Sequence, residues 1–257
     1  MAVLPVHFHL KTADTALNPS MVVDLDLLPA PDVFEERLAY ERLLDMVLRL
    51  NREGLALDAT EVQNLAPELV YPTALSIDVV LLPWEWREDV SALFFSDGEP
   101  PLGFHAQTTG EELLAEGHYN PRHQVVVFVP SDQDLEALLD QTLMDSGLRE
   151  FEDAERLFYN TLPHEISHVL LFAEASGGMS SHEIDVAFDD GAFPFDRHAV
   201  STGRELERLA NHYEHCSSEA EEVDAMEELV ETQGYALLQA LWAPAEPVTR
   251  PRGPKPH

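Results

Sequence analysis

Residues 161–175 read Thr-Leu-Pro-His-Glu-Ile-Ser-His-Val-Leu-Leu-Phe-Ala-Glu-Ala. The pattern predicts a helix from about Leu162 to Ala175, stopped by Gly177-Gly178. Pro163 suits the first turn of a helix but not its interior, so a break is expected near Thr161. His164 and His168 are four residues apart and therefore sit one turn apart on the same face. That separation lets two imidazoles converge on one Zn²⁺ at roughly 2.0–2.1 Å each. Glu165 is turned about 100° round the axis, beside the ligands rather than among them. There it can accept a proton from a water that the metal has acidified. Ile166, Val169, Leu170 and Ala173 give the helix an apolar stripe for packing, separate from the face that carries the histidines.

The chain holds 12 histidines, and its His and Glu content gives about 0.06 matches to His-Glu-x-x-His by chance. The alternative is that both histidines are ordinary surface residues of an amphipathic helix. The surroundings favour a site: the motif lies in a helix, follows a strand run and precedes a second, glutamate-rich helix.

Working outward, Ile77–Leu82 and Gln124–Val129 are β-branched runs closed by Pro83 and Pro130, and both read as strands. Val22–Leu28 alternates apolar residues with aspartates and suits a half-buried strand. Asp32 to Glu35 has a capping-box pattern, from which Phe34, Leu38, Leu44, Val47 and Leu48 keep helical spacing to Gly54. Residues 84–122, with Trp84-Glu85-Trp86, are less legible and leave room for two short strands. Asp132–Met144, Glu150–Asn160 and Glu219–Trp242 read as further helices. Residues 179–202 form a long segment without periodicity, suited to a cleft wall. No linker divides the chain: one domain is expected over 1–242, and a proline-rich tail without a core over 243–257.

The bulk numbers restrict the partners. A net charge of −33, with lysine only at positions 11 and 255, repels phosphate backbones and anionic lipid. Neither nucleic acid nor a membrane surface is therefore an expected partner. The acidity suits a solvated surface or a salt-rich habitat; an acidic decoy for a basic protein is a third reading. No run of about 18 apolar residues is present, and the first ten residues lack the basic flank of a leader. Cys216 is the only cysteine, which suits a reducing cytoplasm.

The stretch Thr161–Ala175 resembles the HExxH zinc metallopeptidases, the zincins. Residues 155–172, ERLFYNTLPHEISHVLLF, are also similar to the small bacterial ImmA/IrrE-type peptidase domains. The resemblance implies an α+β fold: a small twisted mixed sheet, a backing helix, the HExxH helix and a C-terminal helix bearing a ligand. It implies zinc as cofactor, a peptide or protein substrate, and an edge strand that pairs with the extended substrate. Gln124–Val129 is the candidate for that strand.

The third ligand is the open position. The metzincin pattern HExxHxxGxxH fails, because Leu171 replaces its glycine and Glu174 its last histidine. The gluzincin pattern takes a glutamate from a later helix, and Glu219–Trp242 offers several. Val223, Met226, Val230 and Leu237 mark the expected buried stripe, with Glu219 and Glu222 on one side and Glu227 on the other. A carboxylate beside an apolar stripe is costly unless paired or metal-bound, which favours Glu222 or Glu227. Glu222 is the expected ligand, with Glu219 and Glu227 as alternatives, although Met226 stands where gluzincins often carry Asp or Asn. A histidine among His198, His212 and His215 could serve instead. Tyr213, His212, His215 and His198 are candidates to stabilise an oxyanion. His7, His9, His105, His118 and His123 lack ligand spacing to the motif and read as structural.

The expectation is a zinc-dependent peptidase in which His164, His168 and Glu222 hold the metal and Glu165 is the general base. A zinc-binding protein that keeps the fold without catalysis is the first alternative, and the acidic decoy the second.

Overall fold

The computed structural model describes residues 3–11, 34, 37–65, 67, 69–94, 100–107, 122–146, 151–179 and 219–242. The expected strand Val22–Leu28, most of the expected capping box, residues 180–202 and the 243–257 tail lie outside them. The described chain is α+β, built on a five-stranded mixed sheet.

In chain order the elements are β1 (Val3–Lys11), α1 (Leu38–Glu53), β2 (Ala56–Asp58), α2 (Thr60–Leu65) and β3 (Leu75–Pro83). A 3₁₀ turn at Trp84–Trp86 leads into α3 (Arg87–Phe94) and β4 (Gly103–Gln107). Then follow β5 (Arg122–Val129), α4 (Asp132–Ser146), α5 (Phe151–Tyr159), α6 (Thr161–Ser176) and α7 (Glu219–Trp242).

The strand order is β2-β1-β3-β5-β4. The central trio β1, β3 and β5 is parallel, while β2 and β4 run antiparallel on the outside. Parallel neighbours need crossover connections, and α1 and α3 lie in the two connections that join them. Because both faces of the centre are covered, β3 is buried along nearly its whole length and reads as an unbroken apolar run. Gln124–Val129 therefore lies inside the sheet, between β3 and β4, and is not the edge strand expected for it. Among the described strands, the edge beside the HExxH helix is β4, in the stretch that the sequence left least legible.

One face of the sheet makes the main core. Leu4, Val6 and Phe8 of β1, Ile77 and Val79 of β3, and Val125, Val127 and Val129 of β5 pack under α1, α4, α5, α6 and α7. The other face sets Val80, Leu82, Phe104, Val126 and Phe128 against Trp84, Trp86 and Val90. Neighbouring residues of a strand point to opposite faces. With Phe104 on the tryptophan side, His105 points to the side where α6 lies.

The backing helix α1 buries Ala39, Leu43, Met46, Val47 and Leu50, while Leu38 and Leu48 are exposed. The helix is the expected one, but its buried face is turned from the one assigned by its leucines. Asp78, buried in β3, is paired with Lys11 at 3.3 Å, so one of the two lysines offsets a buried carboxylate. Among the described residues no helix is long and apolar enough to cross a membrane.

Candidate metal centre

Three elements converge at the site: the edge strand β4, the helix α6 and the helix α7. Helix α6 begins after Asn160, whose carbonyl accepts from the His164 backbone N–H at 2.8 Å. Pro163 sits in the first turn, as its missing N–H allows, and its carbonyl also accepts from the Ser167 hydroxyl at 2.8 Å. Ile166, Val169 and Ala173 are buried against the sheet, and the helix stops at Gly177 in the left-handed region. His164 and His168 are left partly open on the other side, with side chains 23% and 17% exposed.

Two glycines let the elements come this close. A β-carbon on Gly103 would stand 2.8 Å from Thr161 Cγ2 and 2.6 Å from the Val126 carbonyl oxygen, so the first turn of α6 rests directly on the end of β4. A β-carbon on Gly234 would stand 3.2 Å from His164 Cα. Helix α7 therefore lies tightly against the start of α6. Val230 and Gly234 face that contact, and Glu227, one turn before Val230, comes up beside the histidines.

The Nε2 atoms of His164 and His168 face each other at 3.3 Å. The Glu227 carboxylate closes on both: Oε2 lies 3.5 Å from His164 Nε2, and Oε1 lies 3.5 Å from His168 Nε2. A tetrahedral ion bound at about 2.0–2.1 Å needs ligand atoms about 3.3–3.4 Å apart. The 3.3 Å between the two nitrogens matches that requirement, and the carboxylate sets one oxygen 3.5 Å from each nitrogen. Two imidazole lone pairs directed at one another repel unless a proton or cation lies between them, and the carboxylate adds negative charge at the same point. Burial first, and then His105, push the His168 imidazole down to about 4, so it is neutral near pH 7, the form that ligates metals.

Glu165 is beside this group. Its Oε2 lies 3.0 Å from Nδ1 of His105, and the His105 ring stacks on His168 with centroids 4.6 Å apart. His105, which lacks ligand spacing in the sequence, is thus part of the site and not a remote structural residue. His123 of β5 lies on the same side of the sheet, its ring set edge-on to Phe172 at 6.0 Å, and burial pushes it down to about 3. His7 and His9 lie on the exposed face of β1, and His118 is outside the described residues.

Among the described side chains of α7, Glu227 is the glutamate that stands at the histidines. The side chains of Glu219 and the expected Glu222 are outside the described residues, as are Tyr213, His212, His215 and His198. The arrangement offers two imidazoles and a carboxylate to one divalent ion, with a second carboxylate beside it. No protein family, curated protein or solved structure matches the chain.

Proposed function

We propose that the chain is a zinc-dependent peptidase of gluzincin type, with His164, His168 and Glu227 as metal ligands and Glu165 as general base. The observation that carries the reading is the meeting of two imidazole nitrogens, 3.3 Å apart, with the Glu227 carboxylate, which sets one oxygen 3.5 Å from each nitrogen; two helices supply the group. Zinc in such a site supplies Lewis acidity, which brings the pKa of a water toward about 7 and polarises a carbonyl. Glu227 replaces the expected Glu222 in this reading. Four residues after it stands Glu231, acidic like the Asp that often follows the ligand in gluzincins, where Met226 weakened the match for Glu222.

Glu165 is set to move a proton. His105 occupies its Oε2, which fixes the carboxylate and leaves Oε1 to take a proton from the attacking water and pass it to the leaving amine. The side chain is only 12% exposed, so competing bulk water is limited. The peptide assignment is supported by β4, an edge among the described strands that runs past the site with His105 directed at Glu165. An extended peptide can add to such an edge by backbone hydrogen bonds.

The deciding experiment measures metal content by mass spectrometry and cleavage of a peptide library, on the native chain and on Glu165→Gln. About one zinc per chain in both, with cleavage only by the native chain, is the expected result. Full cleavage by Glu165→Gln on a validated substrate would sink the mechanism. Zinc without cleavage of any substrate would instead favour the non-catalytic zinc protein.

A further inference from the structure

His105 and Glu165 stand beside the three-ligand group without belonging to it. Donor atoms of His105, Glu165 and His168 lie within 4.8 Å of one another, and the pair His105 Nδ1 and Glu165 Oε2 is only 3.0 Å apart. The pair is held from two sides. His105 is fixed by the pairing of β4 with β5, where it lies opposite Val125, and Glu165 by the second turn of α6. The His105 side chain is 41% exposed, which leaves an approach from solvent that the more enclosed Glu165 lacks.

We propose that His105 and Glu165, with His168 as a shared neighbour, form a second divalent-cation position next to the first, and that an ion there takes Glu165 out of proton transfer. This rests on the reading of His164, His168 and Glu227 as the first position. One imidazole nitrogen and one carboxylate oxygen suit zinc and its transition-metal neighbours, with water filling the remaining places. The second position is the weaker. It has two committed donors instead of three, because His168 serves the first ion. Its donor atoms must also open from 3.0 Å to the roughly 3.3 Å that a tetrahedral ion requires. Two like charges a few ångströms apart repel, so the second ion binds against the first. A carboxylate lone pair given to a cation is not available to a proton, so excess zinc would suppress hydrolysis without displacing the first ion.

The test is a Zn²⁺ titration of the full-length, metal-stripped chain by calorimetry and equilibrium dialysis, beside His105→Ala and Glu165→Gln. Far-UV circular dichroism verifies the fold of each variant. The native chain is expected to take one tight equivalent and a second at least about tenfold weaker, while both variants keep the first and lose the second. A single step in the native chain, or a second step that survives both variants, overturns the second position and leaves the first standing. No zinc bound by the native chain overturns both readings.

Discussion

Gly234 lies so close to His164 that a β-carbon on the glycine would stand 3.2 Å from His164 Cα and 3.3 Å from its backbone nitrogen. The atoms it would meet belong to a helix backbone, which cannot swing aside as a flexible side chain can. A larger residue must push α7 away from α6. Glu227 is two turns earlier on the same helix and would move with it. Gly234→Val is expected to cost about 1–3 kcal/mol of stability, the usual range for overpacking a tight contact. It should also weaken zinc binding, although position 234 offers no ligand. Urea unfolding of the metal-free protein and zinc competition with a chelating dye read the two effects separately.

Glu227→Gln keeps the size of the side chain and removes its charge. Loss of an outer-sphere partner typically costs 10–100-fold in metal affinity, and loss of a ligand should exceed that. Glu222→Gln is expected to leave the affinity within about twofold, well below even an outer-sphere loss. Chelator competition on the two variants decides between the glutamates. The reverse order would return the third position to Glu222.

The buried His123 gives a pH signature. Burial, and secondarily His105, push it down to about 3 from the ordinary 6.5. The folded chain thus holds a neutral imidazole where the unfolded chain binds a proton. Its contribution to stability is complete above about pH 6.5 and falls progressively as the pH drops toward 3. Between pH 7 and pH 5 the native chain should lose about 2 kcal/mol that His123→Gln does not lose. Urea midpoints at several pH values give the difference. Parallel curves for the two proteins would mean that His123 does not set the slope.

Trp242, at the end of α7, is gripped by Arg42, whose guanidinium carbon lies 4.2 Å from the ring centre, and by Arg156 at 5.7 Å. Its ring also meets Tyr159 at 5.7 Å, and Arg49 donates to the Leu241 carbonyl at 3.0 Å. Trp242→Ala should therefore loosen α7 at the end remote from Glu227, at a cost of about 2 kcal/mol for a half-buried ring. Thermal unfolding with and without zinc checks it, and the loss should persist in the metal-free protein.

The parts of the fold that are local in the chain were legible. Helix α7 has its expected bounds, and α6 and β3 differ from theirs by a residue or two, because each carries its periodicity in one unbroken stretch. Strand β1 alternates buried Leu4, Val6 and Phe8 with exposed neighbours, yet Pro5 reads against a strand. Pro5 is tolerated because pairing with β3 starts only at Val6. On α1 leucines fall on both faces, so composition alone pointed to Leu38 and Leu48, which are exposed.

At the site, the pair of histidines and Glu165 could be read from one turn of helix. His105 could not, since a five-residue strand some sixty positions earlier has no periodic relation to the motif. Which glutamate of α7 reaches the histidines depends on where α7 comes nearest to α6. That place is marked by Gly234, which has no side chain and is silent in any apolar pattern. Over the described side chains of α7 the buried positions are Val230, Gly234, Leu238 and Leu241: Val230 holds its expected place, Leu237 packs half-buried beside them, and the side chains of Val223 and Met226 lie outside the described residues.

The three-residue group also ties distant parts of the chain together. His168 and Glu227 are about sixty residues apart, and an ion held by both is a cross-link that closes that whole loop. Closing a loop of this length has an entropic cost that grows only slowly with further length. An ion that binds the folded chain alone repays the cost each time the chain folds. The free chain therefore has little hold on the ion until α6 and α7 have docked. If zinc binds as proposed, its capture would be a late event in folding, and an unfinished chain would not compete for it.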